Sequence, residues 1–204
     1  MNSGDLPFDV SRETLDRLRA FEALVLKWTR KINLVSRNDA AHLWRRHIVD
    51  SAQLWPLRIP GARHWVDLGA GGGFPGVVLA ILASETPDPP RFTLIESDMR
   101  KAAFLMTAAR ELDCPITVLT GRIESAPPQQ ADLVSARALA PLETLLGWAE
   151  RHLRAGGTCL FPKGRSWQDE LSDARRNWRL DHEIIPSITN PDSVVLKIEG
   201  FSRV

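Results

Sequence analysis

Apolar residues in the first part of the chain fall at Leu15, Leu18, Phe21, Val25, Trp28 and Ile32. Those steps of three and four predict an amphipathic helix or helix pair over residues 11–32. Asn33-Leu34-Val35-Ser36 breaks the pattern. Asn38-Asp39 then caps a second helix through Leu43, Trp44 and His47, and a third short one runs from Asp50 to near Pro56. Pro60-Gly61 marks a boundary. Beyond it the pattern alternates. Strands are expected at 64–68, 91–96, 116–119, 131–135 and 158–162, with helices at 76–84, 98–112, 140–153 and 167–177. Two closing strands, 182–188 and 193–199, flank the turn Asn190-Pro191-Asp192. Strands alternating with helices imply a parallel sheet covered on both faces, and the closing pair, with no helix between, makes one strand antiparallel. The expected architecture is α/β and Rossmann-like: a helical appendage over 1–60 and a mostly parallel sheet domain over 61–204.

The densest chemical signal lies between the first strand and its helix, in Asp67-Leu68-Gly69-Ala70-Gly71-Gly72-Gly73-Phe74-Pro75-Gly76. Glycines that close together let backbone approach a ligand with no Cβ in the way. In open α/β sheets a nucleotide-like ligand sits at this place. Gly71-x-Gly73-x-x-Gly76 formally matches a dinucleotide fingerprint. Three features oppose that reading. Asp67 precedes the loop where a methyl-donor enzyme keeps an acid. Pro75 removes an N–H that a pyrophosphate would use. The rest of the chain leaves no room for a second domain to hold a hydride acceptor. S-Adenosylmethionine carries no phosphate and suffers no loss from Pro75. Glu96, ending the second strand, is placed to accept hydrogen bonds from ribose hydroxyls. In Gly121-Arg122-Ile123-Glu124, Ile123 is a candidate to pack on the adenine and Glu124 to close the site, with a plain surface turn as the alternative. Arg137 and Lys163 end the fourth and fifth strands, where chemistry takes place in such sheets. Arg137 therefore points to where donor and acceptor meet, and Lys163 to substrate phosphate. His47, Asp50 and Ser51 share a helix face. They read as a polar cluster packing the appendage over the site, since no nucleophile elbow accompanies them as a hydrolase triad would need.

Composition narrows the class without choosing the reaction. The chain has 204 residues, 44% hydrophobic and 25% charged, which suits one globular α/β domain with an appendage. No apolar run reaches membrane-span length, and the polar, acidic start lacks a signal core. Cys114 and Cys159 form neither a metal spacing nor a redox pair, so both are expected reduced, in the cytoplasm. Net charge is +1, made of +4 over residues 1–63 and −3 over 64–204. That excess permits a phosphate-facing N-terminal surface without requiring one.

Taken together, the motifs resemble the RsmG family, also called GidB or glucose-inhibited division protein B. The resemblance runs from Trp28 to Lys163. It includes Lys31-Ile32-Asn33-Leu34-Val35, His47-Ile48-Val49-Asp50-Ser51, Gly73-Phe74-Pro75-Gly76, Ile95-Glu96-Ser97, Lys101, Phe104-Leu105, Gly121-Arg122-Ile123-Glu124, Ser135-Ala136-Arg137-Ala138 and Lys163-Gly164. It implies a class I methyltransferase fold with S-adenosylmethionine as donor and guanosine N7 in the decoding-region loop of 16S rRNA as acceptor. By the same analogy Gly69, Phe74, Ile123, Glu124 and Arg137 contact the donor or line its pocket. Asp67, Gly71, Gly73 and Glu96 complete the donor set. Gly72 replaces the small or proline residue of many relatives. Guanine N7 already offers a lone pair, so positioning by Arg137 replaces a general base. Lys27, Arg30, Lys31, Arg45, Arg46 and Lys163 are the candidates for RNA phosphate. The expected partner is 16S rRNA or the small ribosomal subunit, approached by a monomer that needs no metal, membrane or protein partner. The rival readings are a non-catalytic ribosome-binding factor with a vestigial donor pocket, a small-molecule methyltransferase and a nicotinamide-dependent oxidoreductase.

Overall fold

A computed structural model describes residues 6–204; residues 1–5, the beginning of the polar stretch expected to hold no leader, lie outside the described residues. Seven strands form one sheet in the order β3-β2-β1-β4-β5-β7-β6. They are β1 (His64–Leu68), β2 (Arg91–Glu96), β3 (Ile116–Thr120), β4 (Ala131–Ser135), β5 (Leu153–Lys163), β6 (Trp178–Pro186) and β7 (Val194–Arg203). β7 runs antiparallel to both β5 and β6, and the other neighbouring pairs are parallel. The expected single antiparallel strand is therefore β7. β1 is buried at every position, as a central strand covered on both faces must be.

Alternation along the strands feeds two apolar layers. Trp65, Phe92, Leu94, Leu133 and Leu160 face α1 (Arg12–Thr29), α4 (Gly76–Ala83) and α5 (Met99–Glu111). Val66, Leu68, Val134 and Phe161 face α6 (Leu142–His152) and α7 (Trp167–Ala174). α1 begins at Ser11, whose hydroxyl accepts the Thr14 N–H at 3.1 Å. Its inward residues are Leu18, Phe21, Leu24 and Val25, each contributing about 1.5–3 kcal/mol by leaving water. Phe21 lies 5.2 Å from the Phe74 ring and 6.5 Å from Phe104, so the appendage shares its core with the sheet and grips the glycine loop directly.

Several boundaries differ from expectation for local reasons. The second helix is capped by Ser36, which accepts the Asp39 N–H at 3.1 Å, ahead of the expected Asn38-Asp39. That helix, α2, is a single turn, Arg37–Ala40. The chain then forms a π-helical segment, Trp44–Val49, that runs straight into α3 (Asp50–Ala52) where two separate helices were expected. β5 starts at Leu153, ahead of Gly156-Gly157, because a register shift against β4 absorbs the glycines within the strand. β6 begins four residues earlier than expected, with Trp178 buried against Phe201.

Candidate functional site

A buried polar chain supports the glycine loop from below. The Trp65 indole N–H donates to Ser135 Oγ at 3.0 Å, and that hydroxyl donates to Asp67 Oδ1 at 2.7 Å. Asp67 Oδ2 accepts the Gly76 N–H at 3.0 Å, the first amide of α4. Asp67 is fully buried, and burial pushes its carboxyl up to about 7 against the pull of Ser135, Gly76 and Arg137. Since Pro75 has no N–H and Gly76 is taken by Asp67, the α4 N-terminus offers less to a phosphate than a dinucleotide site needs. A Cβ on Gly76 would come within 2.8 Å of Asp67 Oδ2, so the helix start can approach this acid only as glycine.

Above the loop lies a cavity of about 530 Å³ at the carboxyl ends of β1 to β4. Gly69, Gly71, Phe74, Glu96, Ile123 and Glu124 line it, and Arg137 closes one end. Glu96 accepts the Gly71 N–H at 2.8 Å through Oε2 and the Asp98 N–H at 2.7 Å through Oε1. It thus ties the loop to the end of β2. Asp98 caps α5 through the Arg100 and Lys101 N–H groups, which leaves Glu96 on the cavity wall. Gly69 has φ +63°, and a Cβ there would meet Leu139 Cδ1 at 2.5 Å. Gly71 has φ +52° and its Cβ would enter nearly open space, so backbone itself forms that part of the wall. Ile123 is held from behind by the buried His152, whose Nε2 bonds the Ile123 carbonyl at 2.9 Å.

Arg137 sits where this cavity meets a second, larger one of about 990 Å³. Nη1 donates to the Arg46 carbonyl at 3.1 Å and to Asp50 Oδ2 at 3.3 Å, and Nη2 donates to His47 Nδ1. The ring centroids of His47 and Phe74 are 4.9 Å apart. Accepting from a guanidinium fixes His47 as the neutral Nε2–H tautomer. Burial, reinforced by the Arg137 charge, lowers its pKa to about 4. Burial also works against the Arg137 charge, while Asp50, Asp67 and Asp39 sustain it. Ala138, next in the chain, has φ +50°, a conformation costly for any residue with a Cβ. Asp39 borders both cavities, and its carboxyl is held below the usual range by the Ser36 hydroxyl and by Arg46.

Seven of the nine donor residues expected from sequence, Arg137 included, therefore surround one cavity. Asp67 and Gly73 do not line it. Asp67 braces the loop, and Gly73 (φ +85°) packs where a Cβ would strike Val77 and Phe21. Arg46 and Lys163 reach the second cavity, but both are already paired: Arg46 with Asp39 at 2.7 Å, and Lys163 with Glu170 at 2.7 Å and the Ala140 carbonyl at 2.9 Å. Lys163 thus braces α7 with two of its three ammonium donors. Lys27, Arg30, Lys31 and Arg45 are exposed and line neither cavity. The His47–Asp50 cluster does join the appendage to the site, through Arg137. Sequence reasoning misses Leu139 over Gly69, Leu34 and Val35 on the donor cavity, and Gln53 and Thr189 on the second. Only Leu34-Val35 carries a signal, as part of a motif.

The chain matches the family model described as rRNA small subunit methyltransferase G (GidB) over residues 14–194. It belongs to this family. The proteins named ribosomal RNA small subunit methyltransferase G from Ruegeria sp. (strain TM1040) and Rhodospirillum centenum are similar along nearly the whole length. The first is 52% identical over 201 residues, 98% of each chain; the second is 54% identical over 195 residues, 96% of this chain and 88% of the relative. Among solved structures, M. jannaschii TYW2 in complex with AdoMet superposes with a TM-score of 0.59 at 16% identity, covering 86% of this chain and 80% of that one. The O-methyltransferase from Bacillus cereus in complex with SAH gives 0.57 at 13% identity, covering 96% and 94%. At such identities the likeness concerns fold alone, which is that of class I methyltransferases. This chain has its glycine loop and β2 acid on one cleft. Those groups suit S-adenosylmethionine: an acid at the tip of β2, a bare glycine wall at Gly71, apolar Ile123 and Leu139, and a helix N-terminus closed to phosphate. Among the described residues no helix is long and apolar enough to cross a membrane.

Proposed function

We propose that this chain transfers a methyl group from S-adenosylmethionine to N7 of a guanosine in the decoding-region loop of bacterial 16S rRNA. Family membership supports the donor and the small-subunit rRNA; the N7 position is our finer reading. The observation that carries it is Arg137, which borders both cavities with its guanidinium fixed at three points. The donor supplies an electrophilic methyl group when bound. Glu96 receives the ribose hydroxyls, while Ile123 and Leu139 form the apolar walls. Arg137 also borders the second cleft, where a guanidinium suits a guanine O6/N7 edge or a neighbouring phosphate. N7 has no proton to remove, and the neutral His47 and ion-paired Asp50 are engaged in holding Arg137. Orientation is then the main contribution of the chain's own residues. Paired A-form guanine hides N7 in a deep groove, so the second cleft would receive an unpaired loop nucleotide. Lys27, Arg30, Lys31 and Arg45 would contact phosphate farther along the RNA. One chain acting in the cytoplasm suffices for this scheme.

The direct test is transfer of labelled methyl to small subunits, and separately to stripped 16S rRNA, from cells lacking the protein, followed by nucleoside identification. Label recovered as 7-methylguanosine is expected. Label on another nucleoside overturns the N7 reading; no label despite tight donor binding favours a non-catalytic binder or a small-molecule acceptor.

A further inference from the structure

The turn between β6 and β7 reaches back across 135 residues of chain to the junction of the two cavities. The Ile188 N–H donates to Gln53 Oε1 at 3.1 Å. Gln53 Nε2 donates to Asp50 Oδ1 at 2.8 Å and to the Asp50 carbonyl at 3.0 Å. The Thr189 hydroxyl donates to the same Asp50 Oδ1 at 2.7 Å, and Ser187 Oγ lies 3.0 Å from Thr189 Oγ1. Asp50 thus has one oxygen clamped by two donors and the other turned to Arg137. Gln53 is only 7% exposed. A buried amide is costly unless its donors and acceptor are satisfied, and here all are satisfied by this network.

We propose that Thr189 and Gln53 are positioning residues for methyl transfer, fixing the Asp50 carboxylate so that it holds Arg137 at the mouth of the donor cleft. The physical reason is rotational. A carboxylate bonded through one oxygen swings about a broad, soft terminal torsion, and the guanidinium it holds swings with it. Two donors on Oδ1 fix the plane of the group and so the direction of Oδ2. Ser187, Thr189 and Asn190 also line the second cavity, so the C-terminal hairpin both walls the acceptor cleft and sets its arginine. Two regions distant in sequence, the helical segment around Asp50 and the β6–β7 turn, meet here. The positioning role rests on Arg137 orienting the acceptor as proposed above.

The test compares Thr189→Val, which keeps shape and removes the hydroxyl, with Thr189→Ser, which keeps the hydroxyl. Each full-length variant is assayed for melting temperature, S-adenosylmethionine affinity, and kcat and KM with unmethylated small subunits. The expected result for Thr189→Val is a kcat lower by about tenfold to a hundredfold, the size of effect that slight misplacement of a catalytic group produces. Donor affinity and melting temperature should stay near the parent's, and Thr189→Ser should recover most of the loss. Parental kcat in Thr189→Val, with Arg137→Ala inactive, overturns this inference alone. Activity in Arg137→Ala overturns both it and the role of Arg137. A loss matched by falling donor affinity and melting temperature, and not recovered by serine, marks a merely structural contact and also overturns it.

Discussion

Asp67→Asn should remove the pH dependence that this buried acid imposes on stability. The side chain is fully buried and its carboxyl is pushed up to about 7 from an ordinary value of 3.8. The native state therefore holds a proton that the unfolded chain has released over that interval. Stability from this group is complete below the unfolded value and is lost as pH rises through the native one. The full difference is about 4 kcal/mol, since each tenfold step in a proton equilibrium is worth about 1.4 kcal/mol. About 2.5 kcal/mol of it falls between pH 5 and pH 8. Asparagine preserves the volume and can still accept the Gly76 N–H through its oxygen, while Ser135 becomes the acceptor for its amide. Denaturant unfolding of both proteins at pH 5 and pH 8 gives four midpoints, and the other titrating groups cancel in the difference. The variant should gain about 2.5 kcal/mol on the parent across that range. A variant-to-parent difference that does not move with pH refutes the reasoning, because burial would then not be holding the proton on Asp67.

The remaining predictions concern the loop, the histidine and the cationic surface. Gly69→Ala combines a φ of +63° with a 2.5 Å approach to Leu139, so it should cost about 1–2 kcal/mol for the dihedral alone and weaken donor binding; adding Leu139→Ala should relieve the clash and not the dihedral, as unfolding midpoints and equilibrium dialysis will show. His47, held neutral with its pKa lowered to about 4, contributes stability that is present above 6.5 and lost as pH falls toward 4. Against His47→Gln, the parent should lose about 2 kcal/mol more between pH 8 and pH 5 in chemical unfolding, and parallel curves would contradict the assignment. Neutralising Lys27, Arg30, Lys31 and Arg45 together should flatten the plot of log affinity for a 16S rRNA fragment against log salt by about 3, at roughly 0.7 for each single-strand phosphate no longer neutralised; an unchanged slope removes these four from the RNA surface.

What can be read in advance follows from the range of the interactions. Strand, glycine loop and helix around Asp67 to Gly76 are contiguous, and their pattern appears directly in the sequence. Glu96 is legible because the end of β2 is a local feature of the same pattern. Arg137 can be placed at a strand end, but its partners His47 and Asp50 lie 90 and 87 residues away, and no local pattern carries that pairing. Thr189 and Asp50 are 139 residues apart and are hidden for the same reason. The pairing of Lys163 is hidden because Glu170 looks like an ordinary exposed acid until α7 folds back toward the β5 end. Asp67 looks like a ligand group, whereas its hydrogen bonds are internal. The π-helical run at Trp44–Val49 leaves little trace because a one-residue change of ring size barely alters apolar spacing.

We propose that Arg137 orients the acceptor where two clefts meet, in chemistry that needs no general base. Single-turnover methyl transfer by Arg137→Ala, measured beside its S-adenosylmethionine affinity, puts that role to the test without interference from product release. A rate lower by about a hundredfold or more is expected, with donor affinity near the parent's. A parental rate, or a loss wholly explained by failure to bind the donor, would contradict it.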